Sequence, residues 1–90
     1  MRKTIFERNK LENGILWFDD NTKKTLIERY ATGAVYYFAK YHAVPNICFV
    51  HPSMLEGQTI PEYIEILPNK NLMSGYLWIG MKPGTEAYSG

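Results

Sequence analysis

Three side chains of reactive types lie close together in the chain: Cys48, His51 and Ser53. A thiol or hydroxyl beside an imidazole can act as a nucleophile whose proton the imidazole removes. Strand geometry argues against such a pair for Cys48 and His51, because positions three apart in a strand point to opposite faces. A single cysteine within an apolar run is typical of a small core residue. We therefore interpret Cys48 as part of the core.

The string His51-Pro52-Ser53 permits two interpretations. In the structural one, Pro52 fixes the exit of a strand, Ser53 caps a helical turn over residues 53–56, and the imidazole bonds to a backbone group. In the functional one, His51 and Ser53 lie at the carboxyl end of a strand, where the sites of α/β proteins collect. We favour the structural interpretation and predict that the protein is not an enzyme.

The sequence carries no recognisable motif for a metal or a cofactor. Asp19 and Asp20 lack a third ligand at a diagnostic spacing, and a single cysteine offers no ligand cluster. Glycine-rich phosphate loops and Ser–His–Asp signatures are also absent from the sequence. We therefore expect neither a metal ion nor a cofactor.

The element that must organise the chain is a helix over residues 20–42, whose apolar side chains recur at helical spacing. Asp19 and Asp20 favour a helix N-terminus there, both as caps and through their negative charge. Pro45 disfavours a helical conformation in the residue before it, so we expect the helix to end near His42. The apolar arc comprises Leu26, Ile27, Tyr30, Ala31, Ala34, Tyr37, Phe38 and Tyr41.

Several short segments have strand patterns. Residues 47–50 are apolar throughout and predict a central strand that is buried on both faces. Residues 63–67 and 76–81 alternate, and we predict that they form an antiparallel hairpin. Residues 15–18 follow an Asn-Gly turn signal and permit a hairpin with residues 4–8. The helix between 15–18 and 47–50 would make these two strands parallel neighbours if they share a sheet.

These elements predict the α+β class, with one long amphipathic helix on one face of a mostly antiparallel sheet of three to five strands. The order is a β-hairpin, then the helix, then three strands. Gly33 lies at the border of the helix's apolar arc, which indicates the close approach of a strand or of a second helix. Residues 1–90 are expected to form one domain, with loose tails at 1–4 and 83–90.

Composition narrows the classes of function. The formal net charge is +1, so the chain lacks the overall excess of lysine and arginine that non-specific phosphate binding usually uses. Residues 1–10 lack the apolar core of a signal peptide, and no apolar run is long enough to span a membrane. The single cysteine fits a reducing compartment. We expect a cytoplasmic protein that has no contact with a membrane.

Aromatic residues make up 14% of the chain, which is a large share for so small a domain. If a single helix covers the sheet, the opposite face is exposed and is expected to carry Tyr63, Glu65, Tyr76 and Trp78. Soluble monomers seldom expose a large apolar patch. We therefore predict an interaction module that forms a homodimer, or binds another protein, through this face or through an edge strand.

The alternative is a nucleic-acid-binding domain that uses the polar side of the helix. Tyr36 lies on that side, and Arg29 and Lys40 lie at spacings that bring them near it. An aromatic ring among cations can contact a nucleic-acid base. Arg2, Lys3 and Arg8 would add positive charge to this surface.

Overall fold

The computed structural model describes residues 14–82. In chain order, its elements are β1 (Gly14–Phe18), α1 (Leu26–Tyr41), β2 (Ile47–Val50), a 3₁₀ helix (Pro52–Leu55), β3 (Glu65–Pro68) and β4 (Tyr76–Gly80). The helix packs on a sheet in which two of the three strand pairings are antiparallel. The predicted α+β class is confirmed, although α1 has 16 residues and is shorter than the expected span of 20–42.

The strand order in the sheet is β1-β4-β2-β3. Strand β4 is antiparallel to both β1 and β2, whereas β2 is parallel to β3. Strand β2 therefore has a neighbour on each side, as its apolar sequence predicts. The predicted hairpin of residues 63–67 with 76–81 is wrong, because β2 separates β3 from β4. The connection over residues 69–75 can pass one strand, because two strand spacings are only about 10 Å.

The expectation that β1 and β2 are neighbours is also wrong. Both strands are antiparallel to β4, so they run in the same direction, but β4 lies between them. The central position of β4 places its Leu77 and Ile79 beneath α1, where both are fully buried. The suggested partner of β1, residues 4–8, lies outside the described part of the chain, as do the predicted tails at 1–4 and 83–90.

The helix begins later than predicted because Thr25, and not Asp19 or Asp20, is its N-cap. The Thr25 hydroxyl accepts a hydrogen bond from the Glu28 amide (3.2 Å), and the Glu28 carboxylate accepts one from the Thr25 amide (2.8 Å). This reciprocal pair is a capping box. Asp19 instead accepts the amide hydrogen of Asn21 (3.0 Å) in a local turn, and its carboxylate lies 3.5 Å from the Lys24 ammonium.

The helix ends as predicted, with His42 as a C-cap in the left-handed conformation at φ 57°. Its amide donates to the Phe38 carbonyl at 2.7 Å. Against the sheet, Gly33 allows close contact, since a Cβ atom there would lie 2.5 Å from Cδ1 of Ile79 and 2.9 Å from Cγ of Trp17. The approach of a strand at Gly33, inferred from the sequence, is therefore observed.

The core lies between α1 and one face of the sheet. It comprises Leu26, Tyr30, Tyr37, Cys48, Val50, Ile64, Ile66, Leu77 and Ile79. The connection over residues 51–64 covers the same face, where Met54, Leu55 and Ile60 pack on the core. Its Gln58 side chain accepts a hydrogen bond from the Leu26 amide (3.0 Å) and so completes the helix N-terminus. Among residues 14–82, α1 and this connection thus share one side of the sheet.

Within 14–82, no helix combines the length and the apolar character that crossing a bilayer requires.

Candidate interaction surface

The sheet face opposite α1 carries an uninterrupted row of large apolar side chains. Leu16 is paired with Trp78, Trp78 with Phe49, and Phe49 with Leu67. Residues directly opposite each other in neighbouring strands project from the same face, so this row crosses all four strands. Leu16 is 57% exposed despite its position in a strand.

A second pair extends this row along the sheet. Phe18 is opposite Tyr76, with ring centroids 4.9 Å apart, and is 52% exposed. The Trp78 indole covers Gly14, where a Cβ atom would lie 2.1 Å from its Cη2 atom. The Trp78 and Phe49 rings meet edge to face at 6.4 Å. We call the six residues of this surface the open face: Leu16, Phe18, Phe49, Leu67, Tyr76 and Trp78.

An ion pair borders the open face at one end. The Lys82 ammonium lies 2.9 Å from the Glu65 carboxylate, and both side chains are about half exposed. Glu65 begins β3 and Lys82 follows β4, so the pair reaches across β2, where Ile47 is the residue opposite Glu65. The Lys82 amide also donates to the Asn46 side chain at 2.8 Å. The apolar surface thus has a charged rim, as protein interfaces commonly do.

Of the four residues predicted for the interface, Glu65, Tyr76 and Trp78 lie on this side of the sheet. Tyr63 does not, because β3 begins only at Glu65 and Tyr63 belongs to the preceding turn. Its phenol contributes to raising the pKa of Tyr30, a residue of the helix layer. The predicted strand over residues 63–67 therefore begins two residues too early, and Tyr63 is separated from the open face.

Sequence reasoning missed four residues of the open face: Leu16, Phe18, Phe49 and Leu67. Alternation along β1 was visible in the sequence and places Leu16 and Phe18 on one face. The apolar run of β2 has no alternation that could distinguish its two faces. Only the strand order brings these residues into register with Trp78.

Three residues of the nucleic-acid alternative contact other residues of their own chain: Arg29, Tyr36 and Lys40. The Arg29 guanidinium donates to the Lys24 carbonyl at 3.3 Å. Tyr36 packs on Trp17, with ring centroids 4.7 Å apart, and the Lys40 ammonium lies 5.3 Å from the centre of the Tyr41 ring. Arg2, Lys3 and Arg8 lie outside the described residues.

Phe38 was assigned to the core from helical spacing, but it is an exposed side chain. Together with Ala34, Val35, Val44 and Pro45 it lines a shallow apolar groove of about 280 Å³ beside the helix. The helix turns its other flank toward the sheet, because Trp17 packs between Gly33 and Tyr36. This rotation buries Gly33 and exposes Phe38.

The reactive side chains have structural roles in this arrangement. Cys48 is fully buried, and burial raises the pKa of its thiol to about 12, so the thiol remains protonated near neutral pH. Nδ1 of His51 accepts a hydrogen bond from the Ser53 amide (3.1 Å) and lies 2.9 Å from the Ser53 hydroxyl. His51 is therefore the cap of the 3₁₀ helix Pro52–Leu55, and the predicted capping role of Ser53 is wrong.

Comparison with known proteins gives no relative. The chain matches no protein family, no curated protein and no solved structure. Within residues 14–82, no cluster of three or more His, Cys, Asp or Glu side chains could hold a metal ion. Functional inference therefore depends on the geometry of the chain itself, and the open face is its most distinctive surface.

Proposed function

We propose that this chain is an interaction module that self-associates by stacking its open face on the open face of a second copy. The observation that carries the proposal is the apolar row of Leu16, Trp78, Phe49 and Leu67, which crosses the whole sheet. Stacked sheets with interdigitating side chains are a standard way of excluding water from such a surface. Aromatic residues are also enriched at protein interfaces.

The size of the open face indicates a weak dimer. Four strands spaced about 4.8 Å apart, each about five residues long, present roughly 300 Å² of flat surface. Two copies would bury about twice that area, which is below the roughly 1,200 Å² of a standard stable interface. We therefore expect reversible association that becomes visible at high protein concentration.

Charge does not oppose this association. The formal net charge is +1, so two copies repel each other little. Cys48 is a free, buried thiol, which fits action in a reducing compartment such as the cytoplasm, where we propose that the protein works.

The test compares two acidic substitutions of exposed apolar residues on opposite sides of the molecule. Leu16→Glu places a charge in the open face, whereas Val35→Glu places one beside the helix groove, at a residue that is 69% exposed. Sedimentation velocity over a concentration series should show the mass of the unmodified protein increasing with concentration. We expect Leu16→Glu to remain monomeric and Val35→Glu to associate normally.

Two outcomes would contradict the proposal. One is a strictly monomeric unmodified protein at high concentration. The other is the reverse ranking of the variants, in which Val35→Glu abolishes association and Leu16→Glu does not, because that result would place the interface at the helix groove. Circular dichroism of both variants checks that each keeps its fold.

A further inference from the structure

On the basis of the proposed self-association, we infer the arrangement of the two copies. They stack about a two-fold axis that runs parallel to the strands, and Lys82 of each copy pairs with Glu65 of the other. The inference depends on the residue pairs across the sheet and on the position of the ion pair at one end of it.

The strand order makes the apolar row complementary to itself. An axis parallel to the strands, lying between the two sheets, reverses the order β1-β4-β2-β3 in the second copy. Strand β4 then faces β2 of the second copy, and β1 faces its β3. In the apolar row, Trp78 meets the second copy's Phe49, and Leu16 meets the second copy's Leu67. A two-fold interface requires this kind of self-matching surface.

The same rotation brings opposite charges together. Within one chain, Glu65 is in register with Gly80, two residues before Lys82, so Lys82 and Glu65 are two strand spacings apart across the sheet and about 7 Å apart along the strands, roughly 12 Å in its plane. After the rotation, Lys82 is offset from the second copy's Glu65 by one spacing across the strands and by the same distance of about 7 Å along them, roughly 8 Å in the plane. Stacked sheets are about 10 Å apart, a gap that two long side chains can bridge at the rim. Each dimer would contain two such contacts.

The other face-to-face two-fold axis runs across the strands and fits less well. It keeps the strand order and reverses the ends of each strand, so Trp78 must stack on its own symmetry copy. It also moves the charged ends of the two copies apart, which leaves Glu65 and Lys82 without a partner across the interface. Electrostatic complementarity therefore favours the axis parallel to the strands.

The ion pair is free to exchange partners because it contributes little to the stability of a single chain. Both side chains are about half exposed, and exposed ion pairs of this kind stabilise a fold only slightly. Stacking would withdraw the pair from part of its solvent. The contacts between the copies and the contact within the chain would then both be screened less by solvent.

Charge reversal tests the arrangement. Glu65→Lys and Lys82→Glu each place like charges at both contacts of a homodimer, so each variant alone should associate about tenfold more weakly than the unmodified chain or worse. An equimolar mixture of the two variants restores both opposite-charge contacts. Sedimentation velocity of the mixture should therefore recover association to within a few-fold of the unmodified protein.

The double variant, Glu65→Lys with Lys82→Glu, separates effects between chains from effects within a chain. It keeps an opposite-charge pair inside the chain, and we expect it to associate with itself as the unmodified protein does. Mixed with the unmodified protein, it should form few heterodimers, because both contacts would join like charges. A fluorescent label on one component measures the exchange between the two.

The outcomes distinguish this inference from the proposed function. If the mixture of single variants associates no better than either alone, or if the double variant mixes freely with the unmodified chain, the arrangement is wrong. The proposed function would still hold in that case, provided that Leu16→Glu abolishes association. A monomeric unmodified protein would overturn both.

Discussion

Two side chains in the core between α1 and the sheet, Cys48 and Tyr30, have raised pKa values. Burial raises the pKa of the Cys48 thiol from 9.0 to about 12. Burial also raises the pKa of Tyr30 from 10.0 to about 12, with further contributions from Cys48, Tyr63 and Tyr37. The Tyr30 hydroxyl donates to the Pro45 carbonyl at 3.1 Å, a bond that requires its proton. The fold therefore favours the neutral form of both groups.

These shifts predict a loss of stability at alkaline pH. Each folded-state pKa is higher than the unfolded value, so the unfolded chain releases its protons first. The contribution of these groups is complete below about pH 9 and decreases as the pH rises toward 12. The free energy of unfolding should fall by at most about 1.4 kcal/mol per pH unit for each group.

Urea unfolding between about pH 8 and 11 measures this decrease. Cys48→Ala is the matched control, since it lowers stability at every pH through the cavity it leaves but removes the decrease that begins near the thiol's unfolded pKa of 9.0. If the free energy of unfolding of the unmodified protein does not change over this pH range, the raised pKa values of Cys48 and Tyr30 are contradicted.

Residue types alone identified some roles and missed others. The apolar run around Cys48 correctly assigned this residue to the core, because a single cysteine within such a run is typical of a small core residue. The sequence predicted that Ser53 caps the 3₁₀ helix. In the structure, the His51 imidazole is the cap and accepts a hydrogen bond from the Ser53 amide. Serine is the commoner cap, and composition does not show that a neighbouring imidazole reaches the same amide.

At the scale of elements, the contact between helix and sheet is closest at Gly33. Gly33→Ala would place a methyl group 2.5 Å from Cδ1 of Ile79 and 2.9 Å from Cγ of Trp17. The overpacked contact should cost about 1–3 kcal/mol. Alanine gains about 1 kcal/mol over glycine within a helix, so we expect the free energy of unfolding to decrease by up to about 2 kcal/mol.

Urea unfolding of Gly33→Ala tests this contact, and Thr32→Ala is its control at the exposed neighbouring position. The control tests helix propensity without changing the contact with the sheet, and its free energy of unfolding should increase by at most about 0.7 kcal/mol. A more stable Gly33→Ala variant would show that the glycine is not required by the packing of the helix on Ile79.

The start of the helix shows how tertiary contacts choose between local signals. Asp19, Asp20 and Thr25 are all competent caps, and Thr25 has Glu28 three residues later, as a capping box requires. Thr25 is the cap in the structure, where the Gln58 side chain accepts from the adjacent Leu26 amide at 3.0 Å. Gln58 is 32 residues from Leu26 in the chain, so no local pattern could indicate its contribution.

At the scale of the whole molecule, the two tryptophans lie on opposite sides of the sheet. Trp78 belongs to the open face, whereas Trp17 packs against Tyr36 on the helix side. If copies stack through the open face, Trp78 becomes buried on association and Trp17 does not. A Trp17→Phe variant should therefore show tryptophan emission that moves to shorter wavelength as protein concentration increases.

The control is Trp78→Phe, in which the remaining Trp17 should show the same emission at every concentration. Sedimentation of the same samples reports whether association occurs. An unchanged Trp78 spectrum in samples whose mass increases would place the interface elsewhere on the molecule.

The sequence by itself determined the properties that depend on neighbouring residues. Helical spacing located α1, Pro45 located its end at His42, and alternation showed which residues of β3 and β4 share a face. Turn-forming and charged residues indicated where the helix and strands give way to the connections between them. These patterns are set by local backbone geometry, which each segment carries wherever it lies in the fold.

Only the tertiary structure decided which strands are neighbours and which helix flank is buried. A strand can satisfy its backbone hydrogen bonds against several partners, and the connection over 69–75 is long enough for a hairpin or for a step past β2. The choice depends on the packing of residues distant in sequence, such as Leu77 and Ile79 beneath α1. That choice brings Leu16, Trp78, Phe49 and Leu67 into one row, because only the order β1-β4-β2-β3 places them side by side.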